Sequence, residues 1–176
     1  MAEPTDYDNA DFIPEGHGYF ARWEAAAERF RIAHPAARLG LRHGDHPRET
    51  YDLVLPDAAP HGLVVFLHGG FWRMGDRSLW SHLAAGPLAH GWAVALPSYT
   101  LCPEVRIAEI TRSIARALPL MAAEVAGPIL LAGHSAGGHL ALRMACPDAG
   151  LPDTVAARIA GVLAISPLSD LSPLRD

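Results

Sequence analysis

The stretch Gly133-His134-Ser135-Ala136-Gly137-Gly138 decides the fold, because it joins an apolar run to a helical pattern. The apolar run covers residues 129–132, and the helical pattern extends from Ser135 to about Cys146. A Gly-x-Ser-x-Gly sequence in this context predicts a sharp strand-to-helix turn that exposes the serine hydroxyl. The flanking glycines leave room for such a turn. Ser135 is therefore the candidate catalytic nucleophile.

Three further apolar runs indicate buried strands of the same sheet, and they cover residues 62–67, 92–96 and 159–165. Helical spacing of apolar residues predicts helices near 19–30, 79–88 and 107–121. The alternation of strands and helices predicts an α/β fold, a mostly parallel sheet with helices on both faces. Residues 50–56 alternate between polar and apolar, which predicts an exposed antiparallel strand. We expect residues 1–176 to form a single domain.

A second motif, His68-Gly69-Gly70-Phe71-Trp72, directly follows the apolar run at 62–67. A glycine pair at this point lets the backbone turn its N–H groups into a site at the carboxyl edge of the sheet. The candidate oxyanion donors are the backbone amides of Gly69, Gly70 and Ala136. We expect His68 to hold the loop by a hydrogen bond to the backbone, and His134 and His139 to be structural.

Composition excludes several other classes of function. The chain has 176 residues, of which 50% are hydrophobic and 19% charged, and this is typical of a globular domain. The net charge of −5 and the lack of a basic stripe argue against nucleic acid as a partner. No apolar stretch approaches the roughly 20 residues of a membrane span, and the acidic N-terminus lacks a secretory pattern. These features, together with only two cysteines, favour a cytoplasmic protein without a membrane partner.

The histidines are scattered along the chain, and no pair has metal-ligand spacing on one element with a third ligand nearby. We therefore expect no metal ion and no organic cofactor. A small-molecule substrate is the expected partner.

The sequence resembles the α/β-hydrolase superfamily, and most of all the branch of bacterial-type arylformamidases (kynurenine formamidases) and their esterase relatives. The resemblance extends from about residue 17 to the end of the chain. The segments that carry it are residues 46–53 (His-Pro-Arg-Glu-Thr-Tyr-Asp-Leu), the motif at 68–72, residues 99–104 (Tyr-Thr-Leu-Cys-Pro-Glu) and the serine motif at 133–138. The pair Phe71-Trp72 distinguishes this branch from carboxylesterases that usually have a third glycine there.

The resemblance implies hydrolysis of an aryl formamide such as N-formylkynurenine, with Ser135 attacking the formyl carbon. It also implies that Phe71, Trp72 and Tyr99 face the aromatic substrate. Two alternatives remain open. One is a carboxylesterase for small esters, and the other is a catalytically inactive hydrolase-fold fragment that binds a ligand or a partner.

Members of this family carry an acid and then a histidine after the serine. Here no histidine follows His139, and Asp170 is the one acid expected at the end of a strand, where it is typical of a loop turn. We therefore expect the C-terminal strands of the fold to be missing from this chain and its isolated activity to be very low, since a serine without its base is a poor nucleophile. The last strand would then have an unpaired edge, which makes the chain a candidate for homodimer formation.

Overall fold

A computed structural model describes residues 12–172. Its strands are β1 (Arg38–Arg42), β2 (Thr50–Val54), β3 (Leu63–Leu67), β4 (Ala93–Pro97), β5 (Ile129–His134) and β6 (Ile159–Ile165). Its helices are α1 (Tyr19–Ala33), α2 (Ala85–Ala89), α3 (Ile107–Glu124), α4 (Ala136–Met144) and α5 (Asp153–Ala156), with short 3-10 helices at Gly16–Gly18, Arg77–Ala84 and Pro147–Ala149. The strands form one sheet in the order β1-β2-β4-β3-β5-β6.

The sheet is parallel from β4 through β3 and β5 to β6, and antiparallel at β1 and β2. Side chains of β3 alternate between two apolar clusters, as the two-residue period of a strand requires. Leu63, Val65 and Leu67 pack with α3 and α4 on one face. Val64 and Phe66 pack with α1 and the 3-10 helix at Arg77–Ala84 on the other. The predicted α/β architecture is therefore confirmed.

The predicted antiparallel strand is present as β2, but the prediction that it is exposed is wrong. All five residues of β2 are buried, because β2 lies between β1 and β4. Its polar residue Asp52 is only 3% exposed, and one carboxylate oxygen accepts hydrogen bonds from Arg77 Nε at 2.7 Å and from the Gly40 amide at 2.8 Å. Partners of this kind are what a buried carboxylate needs.

The helix predicted for 79–88 is divided into the 3-10 helix and α2, which Gly91 follows with a φ of 74°. The helix near 19–30 is confirmed as α1. Only part of α1 packs on the core, since Ala27 and Phe30 are buried whereas Phe20 is exposed.

β6 forms one margin of the sheet. It pairs with β5 on one side, and within residues 12–172 no strand pairs with its other side. Leu163 is 63% exposed and Ile165 is 42% exposed, so this margin is apolar as well as unpaired. In the same range of residues, no helix is both long and apolar enough to cross a membrane.

Candidate active site

Ser135 lies at the turn between β5 and α4. Its backbone has a φ of 54° and a ψ of −119°, a conformation that costs a residue other than glycine about 1–3 kcal/mol. Its amide donates to the carbonyl oxygen of Ile165 at 2.9 Å, which fixes the turn to the end of β6. The side chain is half-buried, and within residues 12–172 its hydroxyl makes no hydrogen bond.

The glycines that flank Ser135 are required by close contacts. A Cβ atom on Gly137 would lie 2.0 Å from the Leu67 carbonyl oxygen, and one on Gly133 would lie 2.2 Å from the Gly137 carbonyl oxygen. Any side chain at these positions would force α4 away from the sheet. The predicted steric role of both glycines is confirmed.

The glycine loop after β3 lies directly against the serine. A Cβ atom on Gly69 would be 3.2 Å from Ser135 Cβ and 2.8 Å from the His134 carbonyl oxygen. Among the hydrogen bonds that residues 12–172 form, none uses the backbone N–H of Gly69, Gly70 or Ala136. Ala136 also begins α4, where the helix dipole favours negative charge. Unused backbone donors beside the serine hydroxyl are suited to binding a negatively charged oxygen.

His68 supports this loop. Its Nδ1 donates to the Gly69 carbonyl oxygen at 2.8 Å, as predicted, and its ring stacks on Tyr99 at 4.3 Å between centroids. The Tyr99 hydroxyl in turn donates to the His68 carbonyl oxygen at 2.8 Å. Burial lowers the pKa of His68 to about 4, so its ring is neutral at physiological pH. Its Nε2 is buried and has no partner among the described residues.

The three aromatic residues predicted to contact substrate lie in different environments. Trp72 and Tyr99 are 1% and 0% exposed, whereas Phe71 is partly exposed. Phe71 and Trp72 have φ values of 53° and 55°, so the loop continues in the left-handed region that favours glycine. Trp72 packs edge-on against the His139 ring at 5.3 Å. Substrate contact by these residues stays a prediction, and Phe71 is the one of the three with a surface available in the described structure.

Among residues 12–172, neither the other histidines nor Asp170 forms a hydrogen bond to the serine hydroxyl. The His134 ring packs on Trp80 at 5.7 Å, and burial lowers the pKa of both His134 and His139. Asp170 accepts the Ser172 amide at 2.9 Å, which is the predicted loop-turn role. A cleft of about 630 Å³ separates α4 from residues 168–172. No cluster of three or more potential metal ligands occurs within residues 12–172.

One residue at the site was not predicted. Arg48 donates from Nε to the Tyr99 carbonyl oxygen at 3.0 Å and from Nη2 to the Gly75 carbonyl oxygen at 2.5 Å. These partners are 51 and 27 residues away in sequence, so no local pattern reveals the contacts. The available signal was its position in the 46–53 segment that carries the family resemblance.

Known proteins similar to this chain are hydrolytic enzymes or share their fold. Kynurenine formamidase from Danio rerio is 28% identical over 142 residues, which cover 77% of this chain and 47% of that protein. A probable isoprenylcysteine alpha-carbonyl methylesterase from Arabidopsis thaliana is 30% identical over 115 residues, covering 61% of this chain and 24% of that protein. The chain spans about half the length of the kynurenine formamidases it matches.

Solved structures match a larger share of the chain. The crystal structure of a protein from Silicibacter sp. tm1040, provisionally assigned as a thioesterase, is 54% identical with a TM-score of 0.95, covering 99% of this chain and 66% of that one. Esterase B from Lactobacillus rhamnosis is 24% identical with a TM-score of 0.63, covering 88% of this chain and 57% of that one, which supports the fold alone. The family model of the alpha/beta hydrolase fold matches residues 64–176, from β3 through the serine turn, and the chain therefore belongs to the α/β-hydrolase family.

Proposed function

We propose that this chain carries the nucleophile part of a serine hydrolase that cleaves aryl formamides such as N-formylkynurenine. The observation that carries the proposal is the position of Ser135, in a left-handed turn beside the unused amides of Gly69 and Ala136. The similarity to kynurenine formamidases supports the choice of substrate. The partly exposed ring of Phe71 in the adjoining loop is suited to an aromatic group.

In the proposed reaction, Ser135 Oγ forms a bond to the formyl carbon while the hydroxyl gives up its proton to a base. The π electrons of the carbonyl move to its oxygen, and the amides of Gly69, Gly70 and Ala136 bind this oxyanion. When the oxyanion re-forms the carbonyl, the C–N bond breaks and the nitrogen takes up a proton, which releases the aryl amine. Water then attacks the formyl ester, releases formate and restores the serine hydroxyl.

The proton acceptor determines how fast this chain can react alone. Within residues 12–172 no histidine is bonded to the Ser135 hydroxyl, and the buried His68 already donates to Gly69. Removing the base from a serine triad can cost about 10⁶ in turnover. We therefore expect these 176 residues alone to hydrolyse substrate only about 10³–10⁴ times faster than the uncatalysed reaction, the residual rate that oxyanion stabilisation supplies.

A carboxylesterase for small esters is the second candidate. It is supported by the similarity to methylesterases of two plants. The comparison of kcat/KM for N-formylkynurenine with that for a short-chain aryl ester separates the two. A higher value for the formamide supports the first candidate, and a higher value for the ester supports the second.

The nucleophile itself is tested with a fluorophosphonate probe, followed by mass spectrometry of the labelled peptide. When the acid and histidine of the fold are also present, we expect labelling of the wild type and of Ser169→Ala, which changes an exposed serine after β6, and none of Ser135→Ala. Undiminished labelling of Ser135→Ala would contradict the assignment. Absence of labelling in every variant, together with ligand binding, would support an inactive binding fragment.

A further inference from the structure

Arg48 bonds to two separate segments that enclose the glycine loop. It is half-buried just before β2, and its guanidinium donates to the carbonyl oxygens of Tyr99 and Gly75. Hydrogen bonds from a charged donor are stronger than neutral ones, and the planar guanidinium fixes the relative positions of two acceptors. Arg48 therefore links Tyr99 to Gly75 through a single side chain.

Both acceptors lie next to the backbone of His68 and Gly69. The Tyr99 ring stacks on His68, and its hydroxyl holds the His68 carbonyl oxygen. On the other side, a Cβ atom on Gly75 would be 2.8 Å from the Gly69 carbonyl oxygen and 3.1 Å from His68 Nδ1. The two arms of Arg48 thus reach the adjacent residues His68 and Gly69 through Tyr99 and Gly75.

The position of Arg48 is itself fixed by a short network. Its backbone amide donates to His46 Nδ1 at 3.2 Å, and His46 Nε2 lies 3.0 Å from Glu104 Oε1. The network joins the segments at 46–53, 68–72 and 99–104. The charge of Arg48 also reaches the loop, because it adds to burial, the main cause, in lowering the pKa of His68.

We propose that Arg48 is the positioning residue of the oxyanion-binding loop, residues 68–75, and that it holds the Gly69 amide at the distance from Ser135 that the reaction needs. This role rests on the proposed function, in which that amide binds the oxyanion. The hydrogen bonds of Arg48 do not include Ser135, and Arg48 acts through Tyr99 and Gly75.

The chain offers a matched control in Arg158. It precedes β6 at the opposite edge of the sheet and likewise donates to backbone carbonyls, those of Gly127 and Ala122 at 2.7 Å and that of Val125. Arg158→Ala therefore removes a comparable set of hydrogen bonds far from the serine. Arg48→Ala removes both hydrogen bonds at the loop, and Arg48→Lys can keep at most one of them.

The first measurement is amide hydrogen exchange, which does not depend on activity. We expect Arg48→Ala to speed exchange at least tenfold at Arg73 and Met74, whose amides donate to the Gly70 carbonyl oxygen. Arg158→Ala should leave the exchange rates of these two amides unchanged, even where it lowers the melting temperature as much as Arg48→Ala does. Wild-type exchange in Arg48→Ala would overturn the proposal.

The second measurement is the rate of fluorophosphonate labelling at Ser135 in the presence of the acid and histidine of the fold, in samples of equal folded fraction. Losing one oxyanion donor costs about 10²–10³ in rate, so we expect a 10- to 100-fold slower reaction in Arg48→Ala, a smaller loss in Arg48→Lys and less than a twofold change in Arg158→Ala. Equal rates in Arg48→Ala and Arg158→Ala would overturn the proposal. Failure of the wild type to label when the acid and histidine of the fold are present would refute the proposed function instead, and the exchange data would then decide the role of Arg48.

Discussion

Burial of His68 should make the stability of this fold depend on pH in a predictable direction. The ordinary histidine pKa of 6.5 falls to about 4 in the folded chain, because burial disfavours the charged ring. Between these values the unfolded chain binds a proton that the folded chain does not, so stability falls as the pH falls. The contribution of His68 is fully present above pH 6.5 and is lost progressively down to pH 4. At about 1.4 kcal/mol per pH unit, the loss between pH 7.5 and pH 5 is about 2 kcal/mol.

The assay is urea unfolding at pH 7.5 and pH 5, followed by the fluorescence of the four tryptophans. His68→Asn keeps a donor for the Gly69 carbonyl oxygen but cannot titrate. Its free energy of unfolding should therefore fall by about 2 kcal/mol less between the two pH values than that of the wild type. His90→Asn, the same change at an exposed histidine after α2, is the matched control. An NMR titration of the wild-type histidine rings provides the same answer if His68→Asn folds poorly. An unchanged pH dependence in His68→Asn, or a wild-type His68 that titrates near 6.5, would refute the reasoning.

Four other outcomes are expected. In the same urea titration, Gly137→Ala should lower the free energy of unfolding by about 1–3 kcal/mol or more, because the new Cβ would lie 2.0 Å from a carbonyl oxygen of β3. Its control is Gly86→Ala, whose Cβ meets nothing within 4 Å, and this change should be neutral or slightly stabilising. Leu118→Ala, at a fully buried position of α3, should lower the free energy of unfolding by about 2–5 kcal/mol. Leu120→Ala, at an exposed position of the same helix, should lower it by less than about 1 kcal/mol. A chelator should leave the rate of fluorophosphonate labelling unchanged, and a loss restored by zinc would contradict the expected absence of a metal. In sedimentation velocity the isolated chain should dimerise through the edge of β6, and Leu163→Lys should shift it toward monomer.

The sequence predicted the central strands because their burial on both faces leaves a continuous apolar run, as in β3 and β5. β1 was not predicted, since a short strand at the margin of the sheet, with arginines at both ends and Gly40 between them, carries little apolar signal. The burial of β2 was mispredicted for a different reason. Its Asp52 looks like a solvent-facing residue until Arg77, 25 positions away, is placed beside it.

The same distinction holds at the site. The turn at Ser135 and the backbone hydrogen bond of His68 involve neighbours in sequence, so a local motif was sufficient to predict both. The contacts of Arg48 and the stacking of Tyr99 join segments that are 27 to 51 residues apart. Such contacts depend on how the strands are ordered in the sheet, which no local pattern contains.

The position of β4 between β2 and β3 has a consequence for a chain that emerges from the ribosome in order. β2 has β1 available at once, but the neighbour on its other side is complete only when Pro97 has been made, roughly forty residues later. At 5–20 residues per second this interval lasts about 2–8 s. During that time a strand whose five residues are all buried in the finished fold presents an open edge to solvent or to a chaperone. Synonymous codons that slow translation between residues 55 and 97 should therefore increase aggregation of the nascent chain without changing any contact in the folded protein.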